Sequence, residues 1–174
     1  MSKDYSKLFT GTLGDIRQQA ARRDRVISAQ NQKKVVDWAQ KLAKELEAKS
    51  KNTRRDFNTA TIAYDESTGK YYYGRNKGIF LDNPPRNPKL FGDESHPGIL
   101  PKEALNRLIL GNCAEVDAIN KALNDGAELK NLHMTTIRTY TRRMGESKEA
   151  CANCTAAFKG RIKRNYTGWH TEEK

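Results

Sequence analysis

Only three of the 174 residues are cysteine, and all of them, Cys113, Cys151 and Cys154, fall in the last third of the chain. An odd set cannot be fully paired into a disulfide framework, so a small oxidised scaffold is excluded, and the clustering points to a metal site or a reactive thiol. Cys113 opens Cys-Ala-Glu and Cys151 opens Cys-Ala-Asn-Cys, each at the start of a helical pattern. For the first helix Asn112 is the expected N-cap, Val116, Ile119 and Leu123 are the buried face, and Asp125-Gly126 is the stop. In the second, the i, i+3 spacing of Cys151 and Cys154 puts two sulfurs on one side of a first turn. Free N–H groups and the positive end of the macrodipole favour thiolates there.

Helix and strand signals alternate along the rest of the chain. Residues 13–50 read as helix, with a stripe of Val35, Ala39, Leu42 and Leu46, Trp38 beside it as a core residue, and a break near Gln30–Gln32. Asn52–Asp56 reads as a linker. The stretches FNTATIAYD, DESTG and KYYYGRN predict a β-hairpin with strands at 57–64 and 70–76. Residues 78–103 hold all five prolines and read as one long irregular loop. A strand is predicted over 132–140, then a connector, a helix from Cys151, and a last strand over Asn165–His170. The order helix, two strands, helix, strand, helix, strand predicts an α/β layered domain, with residues 1–30 a helical N-terminal segment and 31–174 the main domain.

Charge and hydropathy narrow the partners. No stretch approaches the roughly 18 apolar residues of a membrane span, so no membrane partner is expected. The first residues lack the apolar block of a signal peptide. The formal charge is +11, with residues 1–56 and 130–170 each contributing +7 around a middle section of −2. Two basic ends suit a polyanion, because Lys and Arg contacts to phosphates release condensed counterions.

Three thiolates around zinc leave one tetrahedral position open for water, the arrangement of a catalytic site. Glu115, two residues past the first ligand, is placed to take a proton from that water and return it to a substrate. His133 or His170 as a fourth ligand would instead make the site structural. A redox pair at Cys151 and Cys154 fits the C-x-x-C spacing but leaves Cys113-Ala-Glu115 unexplained.

C-A-E followed by C-x-x-C matches the zinc deaminase signature. The stretches GNCAEVDAINKALNDGAEL and EACANCTAAFKG, preceded by YYYGRNKG and SHPGIL, resemble the YwqJ-like deaminase family of bacterial polymorphic toxins over about residues 57–170. The resemblance implies a cytidine deaminase-like three-layer fold, a central mixed sheet of about four strands flanked by helices. It implies one zinc ion per chain on Cys113, Cys151 and Cys154, with Glu115 as proton shuttle. Asn76 would contact the sugar or base, and Ala114 would give the base a backbone contact. The implied activity is hydrolytic deamination of cytosine to uracil in DNA, single-stranded or with the target base flipped. The chain would be the C-terminal part of a secreted toxin, acting in the target-cell cytoplasm and held in check by an immunity protein. Departures are Cys at the first ligand, where many polynucleotide deaminases have His, and Ala150 where the usual pattern has Pro. The predicted sheet is also one strand short.

Further candidates surround the motif. His96, in SHPG, is a candidate substrate contact. Arg138, Arg142, Arg143, Arg161, Lys163 and Arg164 are candidate phosphate contacts, with Tyr166 and Trp169 among them as stacking residues. The alternatives are a deaminase of RNA or of free nucleosides or nucleotides, and a zinc-stabilised nucleic-acid-binding module without catalysis.

Overall fold

The computed structural model describes residues 12–171. Helix α1 (Leu13–Lys49) opens on a capping box in which the Thr12 hydroxyl accepts the Asp15 N–H and the Asp15 carboxylate accepts that of Thr12. It runs without interruption, so the break expected near Gln30–Gln32 is absent. Asn31 there is buried, and its Nδ2 donates to the His133 carbonyl at 3.1 Å. A polar residue that looks like an interruption is therefore a tether to the sheet. The expected linker is also helical. Ser50, extended at φ −170°, ends α1 and caps α2 (Lys51–Asp56), accepting the Thr53 N–H at 3.0 Å.

Strands β1 (Thr59–Asp65) and β2 (Lys70–Arg75) form the expected antiparallel hairpin, paired from Ala60 opposite Arg75 to Asp65 opposite Lys70. The predicted loop 78–103 contains two short helices, α3 (Gly78–Asp82) and α4 (Pro88–Phe91). The second starts with Asn87 capping the Lys89 N–H and Pro88 at its first position. Then come α5 (Ala114–Asn124), β3 (Leu132–Arg138), α6 (Ala152–Phe158) and β4 (Arg164–Asn165).

The sheet is mixed and four-stranded, in the order β2-β1-β3-β4, with β3 antiparallel to β1 and parallel to β4. Strand β4 pairs only Arg164 and Asn165, so of the strand expected over Asn165–His170 a single residue is in the ladder. The Asn165 carboxamide accepts from Thr167 and donates to the Gly168 carbonyl, turning the chain away. Each face of the sheet has its own core. Val35, Ala39 and Leu46 of α1 pack on Ala60, Ile62 and Ile137, with Trp38 stacked on Tyr73 at 5.3 Å. Val116, Ile119 and Leu123 of α5 join Phe158 of α6 over Leu132 and Met134. Alternation in β3 thus sends Met134 to one core and Ile137 to the other. Among the described residues no helix is long and apolar enough to cross a membrane.

Candidate metal centre

The starts of α5 and α6 lie at the same end of the fold. Cys113 and Cys151 are their N-cap residues, both extended and neither using its side chain to cap. Asn112, the expected cap, instead lends its carbonyl to the Lys77 N–H at 2.8 Å. The sulfurs of Cys113, Cys151 and Cys154 all lie within 4.8 Å of one another, Cys113 and Cys151 at 3.3 Å, and none is in a disulfide. Strand β3, helix α6 and strand β4 form a β-α-β unit. The cysteine pair follows the carboxyl end of β3, where parallel strands of α/β folds place their sites.

The thiols regulate one another. The S–H groups of Cys113 and Cys154, with backbone N–H groups of Cys154 and Asn153, hold Cys151 far below an ordinary thiol pKa. Cys113 is pushed up, first by its bond to Cys151; Cys154 is pushed up by its bonds to both partners and by complete burial. The close approach of the three sulfurs makes each ionisation oppose the next. Ionising all three requires a cation between them, and three soft sulfurs suit a zinc-like ion. These residues can hold one metal ion.

Glu115 stands beside them, 2 % exposed, with its Oε2 accepting from Cys154 Sγ at 3.9 Å. Burial raises its pKa, and the Lys148 charge opposes the rise. A cavity of about 100 Å³ opens over this carboxylate, lined also by Cys113, Ala114, Asn76, Lys77, Leu108 and Lys148. Its β2-side wall is tightly braced. Asn76 Oδ1 accepts the N–H groups of Asn58 and Thr59 at 3.0 and 3.1 Å, and Nδ2 donates to the Asp56 carbonyl at 2.7 Å. Lys77 is left-handed at φ 64°. Buried Asp117 accepts the Arg75 N–H at 3.0 Å and packs on Gly78, where a Cβ would come 2.1 Å from Asp117 Oδ2.

Of the residues singled out by sequence, the structure therefore gathers Cys113, Ala114, Glu115, Cys151, Cys154 and Asn76. It does not bring His96 to them. An Asx turn at Asp93 fixes the His96 backbone, and its exposed ring lines a separate apolar cleft with Pro88 and Ile99. The basic candidates do not line the cavity either. Arg143 pairs with Glu146, Lys163 with Glu66 and Arg164 with Asp24; Arg138 Nε lies 3.9 Å from Glu146. Arg161 donates to the carbonyls of Ala156 and Ala157, Arg142 is exposed, and Trp169 packs on the α5–α6 core. The sulfur cluster includes neither His133 nor His170.

Sequence reading missed Lys77, Lys148 and Leu108. Lys77 adjoins the hairpin's Asn76, and Lys148 stands three residues before Cys151, so both had a signal in their neighbours. Leu108 had none. The chain matches no family model, no curated protein and no solved structure.

Proposed function

We propose that the chain is a zinc-dependent nucleobase deaminase of the cytidine deaminase-like class, converting cytosine to uracil in DNA. The observation that carries this reading is the buried Glu115 carboxylate, beside three converging sulfurs and at the floor of a small cavity. Cys113, Cys151 and Cys154 would hold the ion, and zinc, when bound, supplies Lewis acidity to a water molecule. Glu115 takes a proton from the attacking water and delivers it to the departing amine. As the C–O bond forms and the C–N bond breaks, water and cytosine become uracil and ammonia. Burial raises the proton affinity of Glu115, which suits a carboxyl group that must hold a proton between two transfers.

The cavity is small. A void of about 150 Å³ holds a benzene molecule, so about 100 Å³ admits only the reacting edge of a base. The sugar and phosphates then stay at the mouth, near Lys77 and Lys148. Reaching a buried carboxylate requires an unstacked base, hence a single strand or a flipped nucleotide. The motif's likeness to YwqJ-like toxin deaminases extends the proposal to a delivered toxin restrained by an immunity protein and acting in the target-cell cytoplasm.

The test is incubation of purified protein with a labelled single-stranded oligonucleotide containing one cytosine, followed by uracil excision and strand cleavage. Uracil should form, and Glu115→Gln should lower the rate about 10²- to 10⁴-fold while retaining one zinc per chain. Equal rates in the two proteins would refute the mechanism. Turnover confined to free cytidine would refute the polynucleotide substrate.

A further inference from the structure

The irregular segment before α5 holds three exposed aliphatic side chains, Leu105 (58 %), Leu108 (45 %) and Ile109 (68 %). The segment is pinned from within the metal motif itself. Asn153, between Cys151 and Cys154 and only 2 % exposed, accepts the Leu105 N–H at 2.7 Å and donates to Asn106 Oδ1 at 3.0 Å. The same Asn106 oxygen accepts the Leu108 N–H at 2.9 Å. A buried carboxamide thus fixes a short apolar shelf relative to the sulfurs, and Leu108 also lines the Glu115 cavity.

Three exposed aliphatic side chains within five residues, on a segment fixed in place, suit a contact surface. Lys77 and Lys148 line the same cavity; the acids beside them are the buried Glu115 in its lining and Asp56, 3.9 Å from the Lys77 ammonium. An occupant with apolar flat faces and negative charges fits both features, and a nucleic-acid strand has both. We propose that the shelf, with Leu108 as its contact, receives the base next to the target in a polynucleotide. Leucine and isoleucine side chains fill the space between bases where a stack has been opened. The shelf therefore stands in for the stacking partner that the neighbouring base loses when the target enters the cavity. Leu108 is the specificity-determining residue, and Asn153 positions it. The proposal rests on the nucleobase deaminase reading.

Two measurements separate the two ideas. The first places fluorescent 2-aminopurine beside the cytosine of a single-stranded oligonucleotide and follows its emission on binding, which needs no turnover. The second compares uracil formation in oligonucleotides whose neighbouring position is a base or an abasic site. The wild-type protein should change the 2-aminopurine emission and deaminate the base-flanked oligonucleotide about tenfold faster than the abasic one. Leu108→Ser should abolish the emission change and equalise the two rates, and Leu108→Met should restore both. A Leu108-dependent emission change without uracil formation from any oligonucleotide would uphold the shelf and refute the reaction. Uracil formation indifferent to the neighbouring position, with no emission change, would uphold the reaction and refute the shelf.

Discussion

Two polar clusters, each built around a buried side chain, His133 in one and Glu115 in the other, flank β3 on opposite faces, and they are built on opposite principles. On the α1 side, His133 Nε2 lies 3.1 Å from a Glu66 carboxylate oxygen and Nδ1 lies 2.7 Å from the Tyr166 hydroxyl, so a neutral ring that donates to the carboxylate accepts from the tyrosine. Glu66 in turn takes Lys163 Nζ at 2.6 Å. Both ring nitrogens and both carboxylate oxygens have partners, and the network closes on itself. On the α5–α6 side, three sulfurs crowd one another within 4.8 Å, and their charges would repel without a cation between them. Glu115 lies among them with its pKa raised by burial. The first cluster is complete as folded; the second could hold one metal ion. Buried polarity alone does not mark a functional site, and incompleteness is the better guide.

The contrast breaks most severely through the sulfurs. Cys154→Ala should reduce bound zinc from one equivalent to less than about a tenth and abolish uracil formation, because two thiolates hold zinc far less tightly than three. His133→Gln should leave zinc content unchanged. Metal analysis of both proteins checks the pair, and the reverse pattern would exchange the roles of the two clusters.

The cavity wall gives the next largest effect. Gly78→Ala places a methyl group against Asp117 and should destabilise the protein by about 1–3 kcal/mol in urea unfolding. Turnover should fall with it, since the Arg75–Gly78 turn presents Asn76 and Lys77. Unchanged urea midpoint and turnover would mean that Asp117 yields without moving the wall.

Smaller effects belong to the closed network. Tyr166→Phe removes the hydroxyl partner of His133 and should cost about 1–2 kcal/mol with no change in zinc content. The pH response has a definite sign. Burial holds the His133 pKa below its ordinary value, although Glu66 pulls it back up. The unfolded chain therefore takes up a proton first, near pH 6.5, and stability is lost as the pH falls further through the folded value. Glu66 behaves alike at lower pH: burial alone would raise its pKa, but Lys163 and His133 together lower it. Urea midpoints at pH 7.5 and 5.5 should differ in the wild type and draw together in His133→Gln. A wild-type midpoint that rises on acidification would contradict a neutral, buried imidazole.

What the sequence revealed was local. Alternation and a turn announced the hairpin, and the two cysteine motifs announced two helix starts with a carboxylate beside one of them. Asn31 misled because its partner, the His133 carbonyl, lies 102 residues away, and a buried polar side chain in a helix has no local signature. The helix over Lys51–Asp56 was readable in principle from Ser50, whose hydroxyl caps Thr53, but a serine between two Lys-rich stretches also looks like a linker. Lys148 reaches the cavity from an irregular connector; its nearness to Cys151 in sequence was a hint, but a tertiary contact, its N–H on the Thr136 carbonyl at 3.0 Å, sets its position. His96 shows the converse: a motif-like SHPG stretch whose turn chemistry is self-contained and remote from the sulfurs.

Lys77 has a consequence for anyone engineering this protein. A left-handed backbone at φ 64° strains a lysine by roughly 1–2 kcal/mol, and glycine would relax there without moving its neighbours. A screen that rewards heat resistance alone would accordingly favour Lys77→Gly and, in the same step, strip an ammonium group from the cavity entrance. Robustness and the positive charge of the cavity lining compete at a single codon.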